Sequence, residues 1–179
     1  MTSPLPLPFD PMIGKAFAML AGFVQAVFGS AVAADDTPVF RGPAAVAGPA
    51  LLGVAGRRIV LFGIDAPVPG QQCVADGKPW DCATASAKTL LNLVGDQEIA
   101  CEQRKVDRFG RVFAVCRMGQ LDVNRALVEA GMAVALPKET RDYVADEEAA
   151  RAKKVGIWRG PFTAPAEYRE MLVGHPQER

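Results

Sequence analysis

The clearest pattern in the chain is Arg57–Ile64, Arg-Arg-Ile-Val-Leu-Phe-Gly-Ile, an apolar run entered through Ala55-Gly56 and predicted as a strand. Upstream, between Asp35 and Gly56, charge is scarce and prolines or glycines recur. Val39–Phe40, Ala44–Val46 and Leu51–Val54 therefore read as short strands with bends between them. After Asp65-Ala66-Pro67 the chain reads as loop as far as Cys82. The spacing then becomes helical: Ala83, Ala87, Leu90, Leu91 and Val94 share one face of a helix over Ala83–Val94, with Gly95 as its stop. Two β-like runs, Glu98–Arg104 and Arg111–Arg117, flank Asp107-Arg108-Phe109-Gly110 and predict a hairpin, followed by a turn at Met118-Gly119-Gln120. Asp122 is placed to cap a second helix, Val123–Ala130, that Gly131 ends, and Met132–Leu136 is a last short strand. A third helix runs from Tyr143 to Val155, with Ala145, Ala149 and Ala152 on one side. Trp158, Phe162 and Tyr168 are placed to pack back onto the domain, and Gly174–Arg179 reads as a disordered tail.

Short strands, a helix, a hairpin and two further helices describe a small closed β-barrel with helical cover. A five-stranded oligonucleotide-binding (OB) fold of the α+β class, with about three helices, fits that order. Residues 39–169 are assigned to this domain, 35–38 to a linker and 170–179 to a C-terminal tail.

The first 34 residues stand apart. Lys15 precedes Ala16–Ala34, which carries no charge, and the stretch ends Ser30-Ala31-Val32-Ala33-Ala34, small residues of the kind a signal peptidase accepts. The reading taken is an export signal cut near Ala33 or Ala34, hence a periplasmic or secreted protein. An uncleaved membrane anchor and a buried helix are the rivals, and Met12 is a second candidate start. Four cysteines, Cys73, Cys82, Cys101 and Cys116, all follow the presumed cut. In a hairpin centred on Arg108–Phe109, Cys101 and Cys116 sit opposite each other, close enough to bridge, which leaves Cys73 with Cys82. Zinc is the alternative, but no Cys-x-x-Cys pair exists and the sole histidine is His175. The formal net charge is zero, which argues against a purely electrostatic nucleic-acid binder and leaves room for a local basic patch.

Four segments, in order, resemble the staphylococcal-nuclease (thermonuclease) family: Arg58–Pro67; Asp107-Arg108-Phe109-Gly110-Arg111; Leu127–Ala133; and Glu147–Arg151 followed by Gly156-Ile157-Trp158. The cysteine placement is similar to that of exported bacterial members. The resemblance implies the OB barrel. It also implies, for active members, calcium-dependent hydrolysis of DNA and RNA. That chemistry needs carboxylates for a hard cation, a carboxylate to activate water and two arginines on the phosphate. Matched by position, the second metal carboxylate is Asp65, a backbone-carbonyl ligand falls on Ala66 and the second arginine is Arg111. The expected glutamate is Val68, the first arginine is Val60, and the first metal carboxylate is Pro49. Three of five key side chains are thus absent. No cofactor is expected, calcium being implied only if nuclease activity survives through substitutes such as Gln71, Gln72, Asp76 or Asp81; Arg57 and Arg58 lie near Val60 in sequence, but neither can simply replace the missing arginine.

Ordinary roles compete at each remnant. Asp65 is read first as a cap on the turn before Pro67. Arg111 has two equal readings, a phosphate ligand or a partner of Asp107 or Glu102. Arg104, Lys105 and Arg108 make the hairpin basic, either as a weak polyanion patch or, the reading preferred, as a solvated face. Trp158 and Tyr168 are read as packing residues, Glu147 and Glu148 as solvated. The function expected is a non-catalytic, exported, monomeric domain that binds a protein or glycan partner. An altered calcium-dependent nuclease, an accessory of surface-polysaccharide machinery and sequence-tolerant binding of single-stranded nucleic acid are the alternatives. Membrane contact would come only through an uncleaved N-terminal segment.

Overall fold

A computed structural model of the chain describes residues 37–174. Residues 1–36, which include the stretch read as an export signal, and residues 175–179 with His175 lie outside the described residues.

The barrel begins with β1 (Val39–Gly48), β2 (Leu51–Val54) and β3 (Arg57–Leu61), an antiparallel meander. Two of the short strands expected upstream are one strand. β1 does not break at Gly42 but bends there, at φ +144°, which a side chain would disfavour. The bend marks a change of partner, since residues up to Pro43 pair with the later hairpin and those from Ala44 pair with β2. The run predicted as one strand to Ile64 is interrupted at Phe62-Gly63, and β4 (Ile64–Asp65) follows.

The segment read as loop contains a hairpin, β5 (Gln72–Ala75) and β6 (Lys78–Asp81), turning at Asp76-Gly77. Aspartate-glycine between paired runs is a strong hairpin signal. Helix α1 (Cys82–Val94) follows, its first turn capped by Asp81, whose carboxylate accepts from Thr84 N at 2.8 Å and Thr84 Oγ1 at 2.7 Å. The buried face is rotated from the predicted one. Leu91 is 52% exposed, and Ser86 joins Leu90 and Val94 among the fully buried positions, its Oγ donating to Met132 O at 2.9 Å. A buried hydroxyl is tolerated because that bond satisfies it.

Strands β7 (Glu98–Val106) and β8 (Val112–Met118) form the predicted hairpin, with Cys101 opposite Cys116 and their Cα atoms 4.0 Å apart. Both expected disulfides form, Cys101–Cys116 and Cys73–Cys82. β7 pairs with β1, and β8 runs parallel to β3 through Ile59–Val112, Val60–Phe113 and Leu61–Ala114. That pairing closes the five-stranded barrel. β9 (Leu121–Asp122) leads into α2 (Val123–Glu129), capped by Asp122 through Arg125 N at 3.0 Å. Asn124 on α2 is fully buried. Its Oδ1 accepts from Cys116 N at 3.1 Å, and its Nδ2 donates to Phe62 O at 2.9 Å and Ala114 O at 3.2 Å. One amide therefore clamps both closing strands to the helix that covers them. Leu52, Ile59, Leu61, Leu90, Ile99 and Leu127 fill the space beneath.

β10 (Val134–Ala135) pairs with β4, and α3 (Val144–Ala152) packs beside α2. The side carrying Ala145, Ala149 and Ala152 faces solvent, with Ala150 the buried residue. Polar bonds set this rotation: Glu147 Oε2 accepts from Ala135 N at 2.6 Å, and Asp146 pairs with Arg125. Glu147 is thus half-buried, not solvated as expected. A 3₁₀ turn, Gly156–Arg159, then crosses the end of α2. A Cβ at Gly156 would come within 2.0 Å of Gly131 O, so this crossing admits no side chain.

The C-terminal segment is tied to the small hairpin. Cys73, Cys82 and Ile157 form a second apolar cluster with Trp80, Trp158 and Phe162, and Val74 N donates to Pro161 O at 3.1 Å. A fourth helix, α4 (Pro165–Gly174), was not anticipated, and residues 170–174, assigned above to the tail, continue it.

Replacing Asn124 with Ala would orphan Cys116 N–H and Phe62 C=O in the interior. Denaturant unfolding of the oxidised protein should show a loss of about 3 kcal/mol. A loss under about 0.5 kcal/mol would show that the clamp does not hold the closure.

Candidate functional site

Barrel closure gathers separate turns around one cleft of about 820 Å³. The β1–β2 turn contributes Pro49. β3 contributes Arg57, Arg58 and Val60, and the segment after β4 contributes Asp65 to Pro69. The β7–β8 turn brings Phe109 to Arg111, and α4 brings Arg169. Six positions picked out by resemblance, Pro49, Val60, Asp65, Ala66, Val68 and Arg111, thus line the same cleft although 62 residues of chain separate the first from the last.

Asp65 is positioned by the β4–β10 pairing opposite Val134. Its carboxylate is held by Arg169 and not by the backbone of its own turn. Arg169 Nη1 donates to Oδ1 at 2.9 Å and Nη2 to Oδ2 at 2.6 Å. This bidentate geometry is among the strongest a carboxylate meets. The bond to Asp65 raises the already high pKa of the Arg169 guanidinium, against the opposing effect of its burial. The Asp65 side chain is 13% exposed and that of Arg169 is 47% exposed.

Arg169 reaches Asp65 because α4 is pinned at its start. Gln71, fully buried, accepts from Val68 N at 3.1 Å and donates to Thr163 O at 2.7 Å, and Tyr168 Oη donates to Gly70 O at 3.3 Å. Gln71 is therefore occupied in holding the loop to the C-terminal segment. Asp81 caps α1, Asp76 forms the tip of the small hairpin, and neither of them, nor Gln72, lines the cleft.

Arg111 lies along the hairpin turn, its Nε donating to Asp107 Oδ2 at 2.6 Å. Desolvation pushes the Asp107 carboxyl up, but the bonds from Arg111 and Phe109 outweigh it and hold it below the usual aspartate range. A carboxyl depressed in the folded state adds stability above its unfolded pKa and loses it as pH falls through the folded one. The turn is therefore closed at neutral pH. The other hairpin cations are also tied down: Arg104 to Glu102 at 2.9 Å, Lys105 to Glu139, and Arg108 over the Phe109 ring at 4.8 Å. Only Arg57 and Arg58 among the cleft arginines have no ion pair among the described residues.

The description "Staphylococcal nuclease homologue" belongs to the family model that matches residues 58–160. This chain belongs to that family. Among its curated relatives is the succinoglycan biosynthesis protein ExoI of Rhizobium meliloti, 31% identical over 156 residues, which are 85% of this chain and 82% of that protein. Another, an uncharacterized endonuclease of Haemophilus influenzae, is 32% identical over 103 residues, 56% of this chain, and the chain spans about half of it, 53%. Staphylococcal nuclease homologues that cleave nucleic acid use calcium, and the donors in this cleft do not fit that ion. Asp65 is the sole carboxylate lining the cleft and both its oxygens are engaged, while Pro49 and Val68 offer no side-chain oxygen. Among the described residues no cluster of acidic, histidine or cysteine side chains is arranged to hold a metal.

Arg169 escaped sequence reasoning. It lies outside the family match, and no local spacing connects residues 104 apart. Exchanging Arg169 for Gln should lower stability by about 1 kcal/mol, discounted for solvent screening, and speed amide exchange across residues 165–174. Unchanged exchange would show that Gln71 and Tyr168 hold the helix without the ion pair.

Proposed function

We propose that this chain is an exported, non-catalytic member of the staphylococcal-nuclease family that works by binding, as an accessory to the making of surface polysaccharide. The observation that carries the reading is the Asp65–Arg169 pair, which closes off the one carboxylate left in the cleft. Hydrolysis of a phosphodiester needs a metal or base beside the phosphate, and both tasks fall to acidic oxygens. With Pro49, Val68 and Val60 in place of two carboxylates and an arginine, each missing contact removes on the order of a hundredfold in rate.

Export is supported by the apolar Ala16–Ala34 stretch with its small-residue end and by two disulfides, which persist in oxidising compartments. No helix among the described residues is long and apolar enough to cross a membrane. The link to polysaccharide rests on the relative named for succinoglycan biosynthesis, which aligns along most of both chains. The rival reading, a calcium-dependent nuclease, draws on the relative named as an endonuclease and on the presence of Asp65 and Arg111 in one cleft.

Incubating the oxidised protein with single-stranded DNA and RNA, with calcium and then with EDTA, separates the two. No cleavage above background is expected in either condition. Calcium-dependent cleavage that disappears in both Asp65→Ala and Arg111→Ala would replace the binding reading with the nuclease one.

A further inference from the structure

By resemblance the cleft has lost two acids and one arginine, yet four arginines still line it. Of the four arginines lining it, Arg169 answers Asp65 and Arg111 answers Asp107, while Arg57 and Arg58 are exposed and unanswered. Arg169 is not used up by its pair. The bidentate contact takes one N–H from each Nη, which leaves Nε–H and the outer Nη hydrogens free on a side chain that is 47% exposed. On the rim Phe109 is 70% exposed, with the Arg108 and Arg111 guanidinium carbons 4.8 and 5.7 Å from its ring centre. The wall between these cations is apolar, built of Pro49, Val60 and Val68.

We propose that the cleft is a metal-independent binding site for an acidic polysaccharide. Carboxylates of the polymer sit against Arg57, Arg58 and the free edge of Arg169, and the C–H face of a sugar ring lies on Phe109. The arginine Arg169 supplies, from inside the chain, fixed positive charge where the family's nucleases recruit calcium. Guanidinium suits the task because it pairs with planar carboxylates and stays charged at every accessible pH.

A nucleic acid fits less well. Single strands are bound along a continuous cationic track with several stacking platforms. Here the cations that would extend the track are answered by acids: Arg104 by Glu102, Lys105 by Glu139, and Arg117 by Glu102 and Asp122. Phe109 is the sole aromatic residue lining the cleft. Because the chain has no net charge, attraction to a polyanion has to come from a local group of cations such as the one at this mouth.

This inference rests on the binding reading above, and its test separates the two. Calorimetric titration of the full oxidised chain, in EDTA, would use an alginate oligosaccharide, a neutral dextran oligosaccharide and a single-stranded oligodeoxynucleotide. Alginate should bind, dextran should not, and the oligodeoxynucleotide should bind more weakly than alginate. The double variant Arg57→Ala/Arg58→Ala should weaken alginate binding about tenfold or more with an unchanged melting temperature. Phe109→Ala should weaken it as well. Absence of alginate binding, equal binding by the variants, or tighter binding of DNA would overturn the assignment. Calcium-dependent cleavage of the DNA in a parallel sample would instead overturn the non-catalytic reading on which it rests.

Discussion

The side-chain amide of Asn124 joins the three parts on which everything else hangs. It bonds the turn after β3, two residues of β8 and, through its own backbone, the helix that roofs them. Closing a sheet into a barrel requires its first and last strands to meet, and here they meet in a short parallel pairing of three residue pairs. Parallel pairs are slightly weaker than antiparallel ones. A buried, fully bonded amide at that junction makes the closure specific, because any slip would orphan groups that water cannot reach. The close approach of Gly131 and Gly156 then locks the far end of the same helix. Closure places Val60 beside Phe113 and sets Asp65 and Arg111 on one rim.

A frame of this kind holds its geometry while the chemistry on its rim changes. In the nuclease arrangement implied by resemblance, acids gather a cation and arginines gather a phosphate. Here the acids are reduced to one, and the cation beside it is a side chain of the protein itself. The Cys73–Cys82 hairpin is what allows this, since its packing against Trp158 and Phe162 fixes where α4 begins. Gln71 and Tyr168 carry that fix the rest of the way to Arg169. The site is therefore a product of both disulfide-bonded regions, not of the barrel alone.

Much of this was legible in the sequence where a local rule decides the outcome. Asp122 is placed to cap, Gly95 and Gly131 to stop, and the two cysteines of the large hairpin are equidistant from its turn, whereas the cap at Asp81 emerged only in the structure. Reading fails where the deciding partner is remote. Alanines at Ala145, Ala149 and Ala152 do not say which side of α3 faces the core; the backbone N–H of Ala135 and the side chain of Arg125 do, by drawing in Glu147 and Asp146. Leu91 was expected inside by periodicity, yet Ser86 holds that place because Met132 O is there to accept its hydroxyl. Asp65 sits in a motif that announces it, whereas its partner Arg169 lies in a helix with no marked signature.

We propose that Arg169, paired with both oxygens of Asp65, holds the place there that a calcium ion would need. Scanning calorimetry of the oxidised protein across a calcium titration tests it directly. The account predicts a melting temperature independent of calcium. A rise that grows with calcium, toward the roughly 2.7 kcal/mol that a single site gives at a hundred times its Kd, would contradict it. Asp65 would then have released Arg169 and found other oxygens with which to bind the ion.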